Sequence, residues 1–259
     1  MKFSIITCTY NSIKFIERNI SSVSNQSFTD FEHIFIDGYS TDGTAEIIKN
    51  YQIKHPDVVK FFQIEPKGIS SAMNEGIKRS SGEYIIHLHS DDSLYDNNVL
   101  ADACYFLSKN KLDWIYGKIN VVEESNKSIG IFPSKKIYQN NSKFIFGKKL
   151  LNYYNYIPHQ GVFIKKDVFN KFGYFDEKLK SAMDSDLWFR IKDKTSWLFF
   201  DRIVSNYCVH FGSESSNIQN RQRTIQNKKT VRSRYLNKFQ LAAADFIDWV
   251  LEKKNSNYR

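Results

Sequence analysis

Two adjacent carboxylates, Asp91 and Asp92, stand just past a short apolar run at residues 84–88, after His89 and Ser90. Two acids side by side repel each other, and a bound cation relieves the repulsion. Mg2+ and Mn2+ are hard ions that nucleotide sites hold with one or two carboxylates plus phosphate oxygens. The alternative is an acidic turn capping a helix that starts near Asn97, since Asp and Ser are common in turns and caps. Asp37 closes another apolar run, at residues 34–36. Lys67 precedes Gly68 at a helix opening, where an ammonium and free backbone N–H groups suit a phosphate or ribose oxygen. Further on, Asp184 and Asp186 stand in Ser181-Ala182-Met183-Asp184-Ser185-Asp186-Leu187-Trp188-Phe189-Arg190. On a helix these two acids point apart, and Arg190 falls at the i,i+4 spacing of an ion pair with Asp186.

Such side chains need elements to hold them. Residues 2–9 read as a first strand. A helix follows, capped by Asn11 or Ser12, with Ile13, Ile16, Ile20 and Val23 at helical spacing. Residues 31–37 form a second strand, whose consecutive apolar residues suit a strand covered on both faces. The turn 38–43 leads into a helix through Ala45, Ile47 and Ile48. A third strand spans 58–64, and a third helix opened by Gly68 carries Ile69, Ala72, Met73 and Ile77 on one face. Next comes the strand that ends at the acidic pair. Strands alternating with helices predict βαβ units, and ligands of such sheets bind outside the carboxyl ends of the strands. The second half is less regular. It holds strands around 114–116, 161–164 and 197–200, a helix over 167–172 stopped by Gly173, and a helix over 182–191. From Ser216 onward the tail reads as one helix, with Leu236, Phe239, Ala243, Phe246 and Val250 stepping by three and four. The expected fold class is α/β: a Rossmann-like, mostly parallel central sheet flanked by helices, with a C-terminal helical extension.

Composition bounds the rest. At 259 residues, with 41% hydrophobic and 15% aromatic residues, the chain can bury a large core. No apolar run reaches the ~18 residues that span a bilayer. The start shows no signal-peptide pattern. Cys8, Cys104 and Cys208 are widely spaced and form no CxxC, as expected of reduced thiols in a cytoplasm. The net charge is +9, and it is concentrated. Residues 125–166 hold eight lysines and no acid: Lys127, Lys135, Lys136, Lys143, Lys148, Lys149, Lys165 and Lys166. Residues 221–238 hold seven Lys or Arg and again no acid. Such stretches either attract an anionic surface or form a solvated basic face. Neither GxxxxGK[ST] nor GxGxxG is present, which argues against a P-loop NTPase and a nicotinamide enzyme.

Four loops follow successive predicted strands: Thr7-Cys8-Thr9-Tyr10-Asn11, Asp37-Gly38-Tyr39-Ser40-Thr41-Asp42-Gly43-Thr44, Glu65-Pro66-Lys67-Gly68-Ile69-Ser70, and Ser90-Asp91-Asp92. Together they resemble the family 2 glycosyltransferases of the GT-A fold, especially bacterial members that build polysaccharides. The resemblance covers residues 1–215, divided into a nucleotide-sugar half (1–120) and an acceptor half (121–215), with 216–259 as a basic, amphipathic C-terminal helix.

The resemblance implies an inverting, metal-dependent transfer of a sugar from a UDP-sugar to a hydroxyl of a glycan or lipid-linked glycan, in bacterial surface polysaccharide synthesis. It implies that Asp37 accepts a hydrogen bond from uracil, with Thr9 and Tyr10 as the near wall and Lys67 on a phosphate or ribose oxygen. Asp91 would approach ribose or sugar hydroxyls, and Asp92 would ligate Mn2+ or Mg2+. Asp184 aligns with the catalytic base, although Met183 stands where the family often has Glu. Asp186 is a further acceptor-side acid, either paired with a base or capping the helix. His159 and Gln160, in Ile157-Pro158-His159-Gln160-Gly161, stand near the acceptor or sugar, or in loop packing. His210, in Val209-His210-Phe211-Gly212-Ser213-Glu214-Ser215, is a second metal ligand or a phosphate donor, or is structural. His89 departs from the family's small or amide residue. Asn74 faces the donor pocket or packs. The location expected is the cytoplasm, or the inner membrane face through an anionic lipid surface, with oligomerisation through the C-terminal helix as the rival use of that helix. No nucleic-acid partner is expected. A nucleotidyltransferase and a non-catalytic scaffold of a polysaccharide assembly complex are the alternative functions.

Overall fold

The computed structural model describes residues 1–133, 145–210 and 218–256. Three strands, β1 (Phe3–Thr9), β2 (Phe31–Asp37) and β3 (Val59–Gln63), run parallel with β4 (Tyr84–His87) in the order β3-β2-β1-β4. Every residue of β1, β2 and β4 is buried, which is why their sequences read as apolar runs without alternation. The register pairs Thr9 with Asp37, so both loops leave the sheet at the same end. Three helices, α1 (Ile16–Ser24), α2 (Thr44–Lys54) and α3 (Ile69–Arg79), make the crossovers. α3 lies unusually close to β1, because a Cβ on Gly76 would come within 2.4 Å of Ile6 Cγ2.

Past β4 the sheet becomes mixed. Its order continues through β8 (Val162–Lys165), β6 (Trp114–Glu123), β9 (Trp197–Val209) and the two-residue β5 (Ser93–Leu94). β8 is antiparallel to both neighbours, β6 and β9 are parallel, and β7 (Ser128–Phe132) pairs antiparallel with β6. Around this half lie α4 (Val99–Asn110), α5 (Ile145–Leu150), α6 (Lys166–Phe172) and α7 (Met183–Ile191). Alternate strand residues feed two cores. One holds Ile6, Ile34 and Ile85 with a stack in which Trp114 lies 5.1 Å from Trp188 and 4.7 Å from Trp197. The other holds Phe3, Ile5, Tyr84, Ile86 and Phe163. Period-two alternation sends these two sets to opposite faces.

The α/β class is as expected, and several elements differ in detail. The first helix starts at Ile16; Ser12 accepts from the N–H groups of Phe15 and Ile16 through its backbone carbonyl, and Ile13 stays outside, exposed. The strand expected over 197–200 runs on to Val209. Polar residues conceal that continuation. Arg202 is paired with Asp96 at 2.6 Å and Asp102 at 2.8 Å, and Asn206 bonds Asn120 and Ser93. Gly117 sits at the accompanying register shift, where a Cβ would fall 2.5 Å from Val204 Cγ2 and 2.7 Å from the Arg202 carbonyl. The tail forms two helices, α8 (Ile218–Tyr235) and α9 (Lys238–Ser256). Asn237 and Gln240 exchange side-chain and backbone bonds at 3.0 and 3.1 Å, a capping box that starts α9. Lys135, Lys136, Lys143 and residues 211–215 lie outside the described residues. Among the described residues no helix is long and apolar enough to cross a membrane.

The two halves are fastened by α3. Asn74 donates to the Phe175 carbonyl at 2.9 Å and to Glu177 Oε1 at 3.0 Å, and accepts from the Phe175 N–H at 3.0 Å. Ser70 Oγ donates to the Leu179 carbonyl at 3.0 Å. Asn74 is therefore a buried fastener, and its amide is spent on protein partners. Asn74→Ala leaves the buried polar groups of Phe175 without partners, a loss of about 1–3 kcal/mol. Urea denaturation should show it as a lower midpoint with an unchanged slope.

Candidate active site

The loops after β1 and β2 are stitched together by polar side chains. Asp37 is fully buried. Its Oδ1 accepts from Thr9 Oγ1 at 2.8 Å and Ser40 Oγ at 2.5 Å, and its Oδ2 accepts from Ser40 N–H at 3.0 Å and Gln63 Nε2 at 3.1 Å. A carboxylate offers about four lone-pair directions, and all are engaged. A base N–H would reach Asp37 only by taking the place of one of these donors. Tyr10 is 62% exposed, and a Cβ on Gly38 would meet its ring at 3.1 Å, so Gly38 lets the ring lie over the loop. Lys67 is exposed beside Gly68, whose φ of 101° favours glycine.

The loop after β4 is gripped from α1. Asn19 Nδ2 donates to the carbonyls of His89 at 2.9 Å and Asp92 at 3.1 Å, and Arg18 donates to the carbonyl of Asp91 at 2.5 Å. Ser12 and Ser90 hydroxyls bond at 2.9 Å. The two acids then diverge. Asp92 is fully buried, and its Oδ1 accepts the Cys208 N–H at 3.0 Å. Burial first, and then the Asp91 charge, push its carboxyl well above the ordinary Asp range. Asp91 is open to solvent, and its Oδ2 lies 3.0 Å from His210 Nε2, with side chains 22% and 15% exposed. The family resemblance implies Asp92 as the metal ligand. Its Oδ2 is buried as well and has no hydrogen-bond partner among the described residues, an open position for a cation. The accessible donor set is one carboxylate and one imidazole, Asp91 and His210. It fits Mn2+ or Mg2+ with the remaining positions filled by phosphate and water oxygens. Among the described residues no group of three His, Cys, Asp or Glu side chains forms a self-sufficient metal cage.

A histidine stack leads from this loop to the second half. The His159 ring lies 5.4 Å from His89 and 5.3 Å from His87. Burial lowers His87 to about 3, and burial with the neighbouring imidazoles takes His159 well below its usual value, so the stack is neutral. The segment bearing His159 also holds Asp184. Asn155 Nδ2 donates to Asp184 Oδ2 and Ser185 Oγ, both at 3.0 Å, while its Oδ1 accepts the Ile157 N–H at 3.2 Å. Burial raises the Asp184 carboxyl, partly offset by the Ser185 N–H, Asn155 and the Lys228 ammonium. Gln160 contributes its carbonyl, which accepts from Ser205 Oγ at 3.0 Å. Asp186 is buried and points elsewhere. It binds Arg190 at 3.0 Å on one oxygen, and Arg234 and Tyr235 at 3.0 Å on the other.

Asn155 thus holds Asp184, and His159 on the same segment packs against His89 of the acidic loop. The model of glycosyl transferase family 2 matches residues 4–173. The chain belongs to that family. The match takes in the first two thirds of the chain, and the chain spans about a third of the length of most of the curated relatives it matches. TarS of Staphylococcus aureus, a poly(ribitol-phosphate) beta-N-acetylglucosaminyltransferase, is 29% identical over 71% of the chain and 31% of its own length. A PGL/p-HBAD biosynthesis glycosyltransferase of Mycobacterium bovis is 24% identical over 85% of the chain and 81% of its own length. An uncharacterised Rickettsia felis glycosyltransferase is 29% identical, and the chain spans 36% of its length. Among solved structures, TarS residues 1–349 with UDP-GlcNAc has a TM-score of 0.70 at 22% identity, over 89% of this chain and 65% of that one. The mannosyltransferase PcManGT of Pyrobaculum calidifontis, with GDP-Man and Mn2+, has a TM-score of 0.69 at 19% identity, over 93% of this chain and 68% of that one. These likenesses establish the GT-A fold.

Three residues of the glycosyltransferase site escaped sequence reasoning: Arg18, Asn19 and Asn155. Asn19 left a trace, a polar residue beside Ile16, Ile20 and Val23 on the inward face of a helix. Asn155 left none. The environment of Asp184 has a measurable consequence. Its carboxyl is raised on folding, so ionisation costs native stability as pH climbs through the raised value. Below the unfolded value of about 3.9 both states are protonated and the cost is absent. Asp184→Asn should raise the melting temperature at pH 7, with the gain fading below about pH 4. A calorimetric series over that range checks both the sign and the window.

Proposed function

We propose that the enzyme moves a sugar from a UDP-sugar to a hydroxyl of a glycan or lipid-linked glycan, with inversion, in surface polysaccharide synthesis. The observation that carries this reading is Asp184: a partly buried, proton-attracting carboxylate held by Asn155. Asp184 takes the proton of the acceptor hydroxyl as that oxygen bonds to the anomeric carbon and the bond to UDP breaks. General-base help of this kind is worth about 10²–10⁴-fold. We assign Mn2+ or Mg2+ to Asp91 and His210 together with the unpartnered Oδ2 of Asp92. When bound, the metal supplies Lewis-acid neutralisation of the departing diphosphate. Tyr10 offers a face for the base, Thr9 and Asp37 order the loop beneath it, and Lys67 stands free for a phosphate or ribose oxygen. UDP as the nucleotide draws support from the TarS relative solved with UDP-GlcNAc, and GDP-Man in PcManGT is the competing donor. Family membership sets aside the nucleotidyltransferase alternative.

A location at the inner membrane face is part of the proposal. Phe239, Phe246 and Trp249 are 88%, 63% and 50% exposed along α9, while Lys228 and Lys229 are exposed on α8. Aromatic and basic residues together suit an anionic lipid surface. Arg232 and Arg234 add little, because Asp248, Asp176 and Asp186 already pair with them. Co-sedimentation with anionic vesicles should therefore fall as salt rises and be absent with neutral vesicles. Equal partition to both would leave the apolar face to a second copy of the chain.

The site assignments separate cleanly in binding experiments. Asp91→Asn and Asp92→Asn should each remove most of the Mn2+-dependent part of UDP affinity, Asp92→Asn while keeping an oxygen for the Cys208 N–H. Asp184→Asn should keep UDP affinity and lower transfer by about 10²–10⁴-fold. A panel of UDP- and GDP-sugars scored for metal-dependent hydrolysis identifies the donor. Turnover of GDP-sugars alone would overturn UDP.

A further inference from the structure

A cavity of about 420 Å³ lies between α7 and the two C-terminal helices. α8 and α9 lie beyond the family match, which ends at residue 173. Asn155 and Ser185 line the cavity, and they are the two residues tied to Asp184. The space therefore adjoins the carboxylate that receives the acceptor proton. Lys228 and Lys229 line it from α8, and neither makes an ion pair among the described residues. Of the two acids in the lining, Asp248 is held by Arg232 at 2.5 Å, which leaves Asp245 against two lysines. Trp188 also lines the cavity; it is 2% exposed, and its Nε1–H has no hydrogen-bond partner among the described residues. Buried polar groups are nearly always paired, so an orphaned donor of this kind points to an absent acceptor.

Positive charge, a spare indole donor and aromatic walls from Tyr154 and Trp249 specify an anion attached to a less polar body. We infer that the cavity seats a phosphate group of the acceptor, held by Lys228 and Lys229 with Trp188 Nε1 donating, so that a neighbouring hydroxyl meets Asp184. This rests on the glycosyltransferase reading of Asp184 and adds the substrate class: a phosphate-bearing acceptor. The volume takes a unit the size of a sugar or polyol phosphate, so one repeat of a longer acceptor is read here. A polyol phosphodiester and a lipid diphosphate share this chemistry.

Calorimetry on the full chain, with the donor cleft filled by UDP and Mn2+ and again without nucleotide, tests the site by binding alone. The probes are glycerol 1-phosphate and farnesyl diphosphate, with glycerol and farnesol as uncharged controls. At least one phosphate probe should bind where its control does not, and the tighter one names the acceptor type. Lys228→Gln with Lys229→Gln should weaken that probe at least tenfold, and Trp188→Phe at least threefold, with melting temperature and UDP affinity as controls on folding. The proposal is overturned if neither phosphate binds, if the controls bind equally, or if the double variant binds as the wild type does. Binding without sugar transfer would reject the glycosyltransferase reading of Asp184 and keep the site. Transfer without phosphate binding would reject the site alone.

Discussion

The site hangs on one buried hydrogen bond, from the Cys208 N–H to Asp92 Oδ1 at 3.0 Å. It ties the loop after β4 to the end of β9, elements that belong to different halves of the sheet. Two residues past Cys208 comes His210, and one residue before Asp92 comes Asp91. With Cys208 and Asp92 locked together, and with Arg18 on the Asp91 carbonyl and Phe15 against the His210 ring, the imidazole and the open carboxylate are brought to 3.0 Å. Burying a carboxylate is costly unless it is hydrogen-bonded or protonated. Asp92 meets that demand in part, through the Cys208 N–H on Oδ1, while its Oδ2 has no partner among the described residues. Asn19 completes the hold by fixing the backbone carbonyls on both sides of the acidic pair.

The second half is coupled to the first through side chains more than through the sheet. β4 and β8 share only a short antiparallel register, Tyr84 with Lys165 and Ile85 with Ile164. Between the halves stand Asn74, which holds the chain at Phe175, and the packed rings of Phe175, His159 and His87, with Phe175 lying 5.4 Å from His87. Three neutral imidazoles suit this place. They fill an apolar gap without importing charge next to Asp91.

Much of the scaffold was readable, because strands covered on both faces must be apolar throughout. The expected span 31–37 coincides with β2, and Gly173 ends α6 as expected, with φ of 86°. The division of labour between Asp91 and Asp92 was not readable. Past the end of a strand, alternation no longer says which of two adjacent side chains faces inward, and the partner that buries Asp92 lies 116 positions away. β9 was cut short for a related reason: Asp201, Arg202 and Asn206 look like a loop until their partners on β5, β6 and α4 are in place. The break at Asn237 was legible in principle, since Asn followed three residues later by Gln is a capping box. The apolar spacing continues across the break and hides it.

The second acidic motif shows how the family domain and the tail became one unit. Asp184 and Asp186 are two residues apart on a helix and so face different surroundings. Asp184 looks toward Asn155 and the cavity. Asp186 is buried among Arg190, Arg234 and Tyr235, two of which belong to α8. Asn227 on the same helix bonds Ser181, just ahead of α7, at 3.0 Å, and the Phe189 and Tyr235 rings stack at 5.0 Å. The helix that carries Asp184 is thus the one onto which α8 docks. Breaking a buried charge pair by removing one partner is severe, because the other charge is left uncompensated. With Asp186 spent on Arg190 and Arg234, α8 is fixed relative to Asp184, and Lys228 and Lys229 inherit that fixed position. A tail anchored in this way walls the cavity beside Asp184 from one fixed position.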